Sequence, residues 1–379
     1  MKLTQEMEQY VLSTKEDVKQ LLREMSVIPA PSHHEELRAE YVKNWMIKEG
    51  AVNVTIDDAL NVIWPINVTE DNDLYVFMAH TDVVFPDTTP LPFREDEKYF
   101  YCPGVGDDTA RLAVLLYAAR YFFRNGISPK SGVLIVANSC EEGLGNLKGS
   151  RKIVDTFGKR IKGLITIDGG LSTIVSTAVG SHRYKVTVKT EGGHSYGAFG
   201  NRNAIAYLAS MIDTLYDVKV PSKPGTKTTY NVGTIEGGTS VNTIAQEASM
   251  LYEYRSDDLE CLATMEKMFK NVVEAYRSMG IDVDVELLGE RPCGQEMGQE
   301  YEEFLAPVLE AGRDILGVEF ARKSGSTDAN YPLSKGINAV CIGGCTSYGT
   351  HTRGEYLEIE SLVPGLRFVL AVMDAFYKR

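Results

Sequence analysis

The sequence predicts an α/β protein: a mostly parallel sheet covered by helices, with a second, α+β domain inserted into it. Three observations carry this. Short apolar runs alternate with helical patterns from Leu74 to Ile167, as crossover-connected parallel strands do. The pattern changes to half-exposed alternating strands near residue 180, and the first style resumes after residue 293. At 379 residues the chain is also too long for one comfortable hydrophobic core.

Apolar residues at helical spacing, first Val18, Leu21, Leu22 and Met25, then Leu37, Tyr41, Val42, Trp45 and Met46, predict two opening helices. The two prolines of 28–32 end the first, and Ser32 with Glu35 reads as a capping box for the second. Strands are expected at 74–78, 133–137 and 164–167, with helices at 109–125 and 148–157. The run Tyr184-Lys-Val-Thr-Val188 then alternates like a half-exposed strand. A helix at 204–216, β-rich runs around Thr234 and Leu251, a helix at 259–279 and a strand at 283–287 follow. That β-α-β-β-α-β order describes a ferredoxin-like domain, an antiparallel sheet with helices on one face. A helix at 301–316, a strand at 337–342 and a helix at 361–377 complete the chain. The expected division is 1–180 with 293–379 for the α/β domain, and 181–292 for the insert.

Composition narrows the function classes. Hydrophobic residues at 44% and charged residues at 24% are ordinary globular usage. A net charge of −13 repels polyanions, so neither nucleic acid nor an anionic membrane is an expected partner, whereas acids gathered in a cleft suit cations. The six cysteines, at 102, 140, 261, 293, 341 and 345, follow neither a disulfide framework nor paired zinc-ligand spacing, and are expected reduced and packed. The first ten residues carry charges where a signal peptide needs an apolar stretch, and no apolar run approaches the roughly 20 residues of a membrane span. Cytoplasm is the default compartment.

What ends each apolar run points to chemistry. The run from Leu74 leads into His80-Thr-Asp82, that from Val133 into Glu141-Glu142, and that from Leu164 into Asp168-Gly-Gly, while the run from Asn338 precedes a loop holding His351. Parallel strands end along one sheet edge, where ligands bind in such folds. Carboxylates gathered there raise one another's pKa, and divalent cations relieve the repulsion. Imidazole with carboxylate and no thiolate suits zinc, cobalt or manganese. The loop Gly104-Val-Gly-Asp107-Asp108 adds acids just before a helix, where plain N-capping is the alternative. Singly, His80 also reads as a structural histidine and Asp82 as a turn residue; their coincidence with the acids after the other strands is what argues for a site.

These segments, in order Met78-Ala-His80-Thr-Asp82, Pro103-Gly-Val-Gly-Asp107-Asp108, Cys140-Glu141-Glu142-Gly, Ile167-Asp168-Gly, Gly192-Gly-His194-Ser, Glu253-Tyr-Arg255 and Thr350-His351, resemble the M20 family of co-catalytic metallopeptidases. The family includes carboxypeptidases, di- and tripeptidases and N-acyl amino acid deacylases. The resemblance implies two divalent metal ions, zinc by preference with cobalt or manganese as alternatives. His80, Asp107 and Asp168 would hold one, and Asp107, Glu142 and His351 the other. It also implies that Asp82 orients His80, and that Glu141 is the general base acting on a metal-bridging water. His194 resembles the histidine that stabilises the oxyanion, in known cases from a neighbouring subunit; its alternative is a surface histidine. Arg255 resembles the receiver of a substrate carboxylate, Asn242 a polar group of the same lid surface, and Asp328 with Asn330 a substrate-side loop of tripeptidase-like members.

Two departures stand out: Thr109 replaces the lysine often found after the Asp-Asp pair, which would remove a cation beside the ligands, and Glu142 to Gly149 is longer than the common form. The expected function is therefore an exopeptidase, tripeptidase or aminopeptidase-like, acting on short peptides, with an N-acyl amino acid deacylase or carboxypeptidase as the alternative and a homodimer through the inserted domain. A glycine-rich dinucleotide loop at Gly143 to Gly149 would make the chain an oxidoreductase, but Glu141 and Glu142 would then repel the pyrophosphate. A non-catalytic binding protein is the other rival, disfavoured because Glu141 accompanies every implied ligand.

Overall fold

The computed structural model describes residues 1–379. Three helices open the chain, α1 (Gln5–Ser13), α2 (Lys15–Ser26) and α3 (Glu36–Lys48), where the sequence predicts two. Helix α1 buries only Met7 and Val11, a stripe too sparse to read as periodicity, and Thr4 caps it by accepting from Met7 N. The expected capping box does not form. The Ser32 hydroxyl donates to Asp82 at 2.7 Å, and the buried Glu35 carboxylate accepts from Cys140 N at 3.0 Å, so α3 begins without a side-chain cap. Buried partners distant in the chain, an acceptor for Ser32 and a donor for Glu35, outcompete the local cap.

The chain continues through β1 (Thr55–Ile56), β2 (Val62–Ile66), β3 (Leu74–His80), α4 (Arg111–Arg124), β4 (Gly132–Asn138), α5 (Lys148–Phe157), β5 (Ile161–Gly169) and β6 (Thr173–Ala178). Next come β7 (Gly180–Lys189), α6 (Ala204–Tyr216), β8 (Thr228–Gly237), β9 (Glu247–Ser256), α7 (Leu259–Ser278) and β10 (Asp282–Arg291). It closes with α8 (Gln299–Ala311), β11 (Ala321–Gly325), α9 (Asn330–Ser334), β12 (Ala339–Gly343) and α10 (Leu362–Tyr377). Two compact units result, Met1–Ala178 with Gln295–Arg379, and Val179–Gly294.

The first unit is built on an eight-stranded sheet ordered β1-β2-β4-β3-β5-β12-β6-β11. Its centre is parallel: β3 pairs with both β4 and β5, and β12 pairs with β5. All seven residues of β4 are buried, as a strand covered on both faces requires. Helices α4 and α10 pack together, with Phe122 and Tyr377 stacked at 4.1 Å between ring centroids. Gly365 lets α10 approach the turn after β12, since a Cβ there would lie 1.7 Å from the Gly344 carbonyl oxygen. A second, four-stranded sheet joins the hairpin Ser347–Tyr348 and Tyr356–Glu358 to Tyr99–Tyr101 and Arg94–Glu95. It ties the loop bearing His351 to the segment leading to Gly104.

The second unit is an antiparallel sheet ordered β8-β9-β7-β10, with α6 and α7 packed on it. Its core is its own, built from residues such as Val186, Leu208, Met250, Tyr254 and Phe269. All six cysteines are buried and unbridged. No helix is long and apolar enough to cross a membrane.

Candidate metal centre

Five candidate ligands meet at the carboxyl edge of the main sheet. His80 ends β3, Asp168 lies near the end of β5, Glu142 follows β4, and Asp107 precedes α4. The loop after β12 carries His351. One oxygen of the Asp107 carboxylate lies 3.2 Å from His80 Nε2 and the other 3.3 Å from His351 Nε2. The Glu142 carboxylate lies 3.0 Å from the same His351 nitrogen. The donor atoms thus fall into two groups, His80 with Asp107, Asp108 and Asp168, and Asp107 with Glu142 and His351, each with its atoms within 4.8 Å.

The electrostatics are those of a site short of positive charge. Burial and the neighbouring Asp107 push the Asp168 carboxyl up to about 7, and burial pushes Asp108 well above the carboxylate range. Burial would raise Asp107 also, but hydrogen bonds from His351 and His80 hold it well below. Bonds to Asp107 and Glu142 push His351 up to about 10. An all-imidazole and carboxylate donor set around an excess of buried negative charge fits divalent cations of the zinc, cobalt or manganese kind.

The supporting residues explain why the side chains converge. His80 Nδ1 sits 3.0 Å from the Asp82 carbonyl oxygen and 3.4 Å from its carboxylate, so a proton on Nδ1 leaves the lone pair of Nε2 to ligate a metal. The Asp82 carboxylate itself accepts from the backbone N–H of Glu141 and of Glu142, both at 2.9 Å, and so fixes that turn as well. Glu141 is buried beside it. Cys140 and His351 both take left-handed backbone conformations, uncommon for residues with a Cβ, at φ +57° and +64°. Neither Asp107 nor Asp108 caps α4, whose first turn has no side-chain cap; Asp108 instead accepts from His80 N at 2.9 Å.

Sequence reasoning missed three contributors. Glu355 is buried, and its carboxylate accepts the N–H groups of Gly104, Gly106 and Asp107, each at 2.8 Å, which fastens the Asp107 loop to the His351 loop. Its position four residues after His351 was the available signal. Arg38, buried in α3, donates to Thr81 O at 2.9 Å, between His80 and Asp82. Arg111 overturns the expectation that Thr109 removes a cation beside the ligands: its guanidinium lies 3.5 to 3.9 Å from Asp108, Asp168 and Asp107. The charge enters from two positions along, at the first residue of α4, while Thr109 donates its hydroxyl to Gly104 O at 2.7 Å.

Of the remaining expected residues, Asp328 and Asn330 are fully buried. Asp328 accepts from the Asn138 side chain at 2.5 Å, and Asn330 accepts from Thr327 N at 2.9 Å. Gly149 in the glycine-rich run serves close packing, since a Cβ there would lie 2.4 Å from Asn61 Oδ1 and 2.5 Å from Ser139 O. In the second unit, the short strand Gly193–His194 pairs with Thr243–Ile244, and Ser195 N donates to Asn242 O at 2.9 Å, so His194 and Asn242 share one exposed bridge. Arg255 on β9 forks onto Glu253 at 3.0 and 2.9 Å.

The model of "Peptidase family M20/M25/M40" matches residues 76–375. The uncharacterized protein YqjE of Bacillus subtilis is 25% identical over 338 residues, covering 86% of this chain and 87% of that one. Carboxypeptidase G2 of a Pseudomonas species is 23% identical over 308 residues, covering 79% and 73%. The crystal structure of a tripeptidase from Staphylococcus aureus superposes with a TM-score of 0.78 at 22% identity, covering 96% of this chain and 99% of that chain.

Proposed function

Because the chain belongs to peptidase family M20/M25/M40 and is a metal-dependent hydrolase, we propose that it cleaves an amide bond of short peptides as an exopeptidase with a two-ion centre. The observation that carries this is the Asp107 carboxylate, which offers one oxygen toward each histidine and so is built to bridge. His80, Asp107 and Asp168 would hold one ion, and Asp107, Glu142 and His351 the other. Such ions polarise the scissile carbonyl and acidify water.

The chain's own residues do the rest. Glu141 takes the proton from the attacking water as its oxygen bonds to the carbonyl carbon, and returns it to the amine as the C–N bond breaks. Asp82 holds that turn in place through the N–H of Glu141. Arg255 receives a substrate carboxylate, a planar two-pronged donor for a planar acceptor, exchanging Glu253 for it. His194, with Asn242 beside it, steadies the oxyanion. Asp328 and Asn330, both buried, we assign to holding their loop rather than to touching substrate.

Among exopeptidases we favour the tripeptidase or aminopeptidase type, supported by the loop resemblance and by the tripeptidase of like fold. Arg255 and the carboxypeptidase relative support a carboxypeptidase as the second reading. The test is to deplete the protein of metal, reload it with zinc, cobalt or manganese, and offer di- and tripeptides, N-acyl amino acids and terminally blocked peptides, with products read by mass spectrometry. Metal-dependent release of a free amino acid is expected, and the blocked end that stops it identifies the subclass. Tight binding without turnover for any metal would overturn the peptidase reading.

A further inference from the structure

We propose that Arg111 is a fixed internal cation that does part of the metal's work in the metal-free chain, and that it opposes the ion held by His80, Asp107 and Asp168. The inference rests on the two-ion reading above and concerns how this protein holds and releases that ion.

Arg111 is buried, and its guanidinium has little freedom. Nε donates to Gly169 O at 2.9 Å, Nη1 donates to Gly106 O, and Nη2 reaches Ser347 Oγ at 3.4 Å. These partners come from three separate segments of the chain, the end of β5, the turn before α4 and the hairpin strand Ser347–Tyr348, so the fork is clamped from several sides. Nη1 faces Asp108 at 3.5 Å, Asp168 at 3.8 Å and Asp107 at 3.9 Å. Arg111 bears on the second donor group only through the shared Asp107, for Glu142 there forms its ion pair with His351.

In the metal-free chain, the buried Asp108 and the half-buried Asp107 and Asp168 share this one guanidinium, and removing the partner of buried charges is strongly destabilising. When a divalent cation occupies the same carboxylates, Arg111 is a like charge beside it. Coupling between two bound charges is reciprocal, so what Arg111 contributes to the empty site it subtracts from metal affinity. The site remains folded when empty and releases its ion more readily than its ligand set alone implies.

Zinc is the probe, with thermal unfolding and competition against a chromophoric chelator as readouts, on the wild type, Arg111→Gln and Arg111→Lys. Zinc should raise the Tm of the wild type. In Arg111→Gln the metal-free Tm should fall much further than the loaded one, and the weaker zinc affinity should tighten by about tenfold. Arg111→Lys keeps the charge and loses the fork, so its zinc-induced rise should match the wild type. If Arg111→Gln is recoverable only with zinc, adding chelator should unfold it while the wild type stays folded. Equal Tm losses with and without zinc, weaker zinc binding in Arg111→Gln, or an enlarged rise in Arg111→Lys would each overturn the proposal and leave the two-ion reading standing. A wild type that neither binds zinc nor gains Tm from it would overturn both.

Discussion

At the scale of the residue, the sharpest division is between Glu141 and Glu142, adjacent acids with different duties. Replacing Glu141 with Ala should lower kcat by at least about a hundredfold while metal content, read by elemental analysis, stays near that of the wild type. Loss of both ions would show that Glu141 is a ligand instead. Arg255→Ala should chiefly raise KM for substrates with a free carboxylate; an equal effect on amidated substrates would show another role. His80, Glu142, Asp168 and His351 were legible because they follow apolar runs whose ends share one sheet edge, and Asp107 because it lies among acids just before a helix. Glu355 and Arg38 were not, because each acts on atoms far away in the chain, Glu355 on N–H groups about 250 positions distant; Arg111 sits close to Asp107 and Asp108 in sequence, but its reach to Asp168 is set by the fold. The Ser32 and Glu35 pair failed in the opposite sense, a local signature overridden by tertiary hydrogen-bond partners.

At the scale of the element, legibility followed burial. The central strands β3, β4, β5 and β12 show as apolar runs because both faces are covered. Strand β11, Ala321-Arg-Lys-Ser-Gly325, lies at the sheet edge with its first four residues exposed and carries no apolar pattern to read. Helix α10 yields a counterintuitive expectation. Glycine inside a helix ordinarily costs about 1 kcal/mol relative to alanine. At Gly365, however, the added methyl would meet a backbone carbonyl at 1.7 Å, and backbone cannot swing aside. Gly365→Ala should therefore destabilise by about 2 kcal/mol, lowering Tm by about 5 °C in a thermal melt. An unchanged or higher Tm would mean that α10 can shift away from the turn after β12.

At the scale of the whole molecule, two units with separate cores respond to different conditions. In the second, burial lowers the pKa of His182 below its ordinary 6.5 against the pull of Glu290 and Glu266, with Lys270 acting in the same direction as burial. Its Nδ1 lies 2.6 Å from the Tyr254 hydroxyl, which donates to the neutral ring. The unfolded chain therefore takes up a proton first as pH falls below 6.5, and the stability held by neutral His182 is lost as pH drops further toward the folded value. Calorimetry from pH 8 to 5.5 should show a transition of this unit that moves down more steeply in the wild type than in His182→Gln; parallel slopes would exclude His182 as the cause. The first unit carries a different consequence. Its central strand β12 and His351 are encoded after the whole of the second unit, yet β12 lies between β5 and β6. During synthesis, domains tend to fold as they emerge, and here the inserted unit can fold while the first still lacks a middle strand and one of the three residues of its second donor group. A nascent chain therefore carries an open sheet edge for the time the ribosome takes to pass residue 343, and a product cut short of His351 is born unable to complete its site.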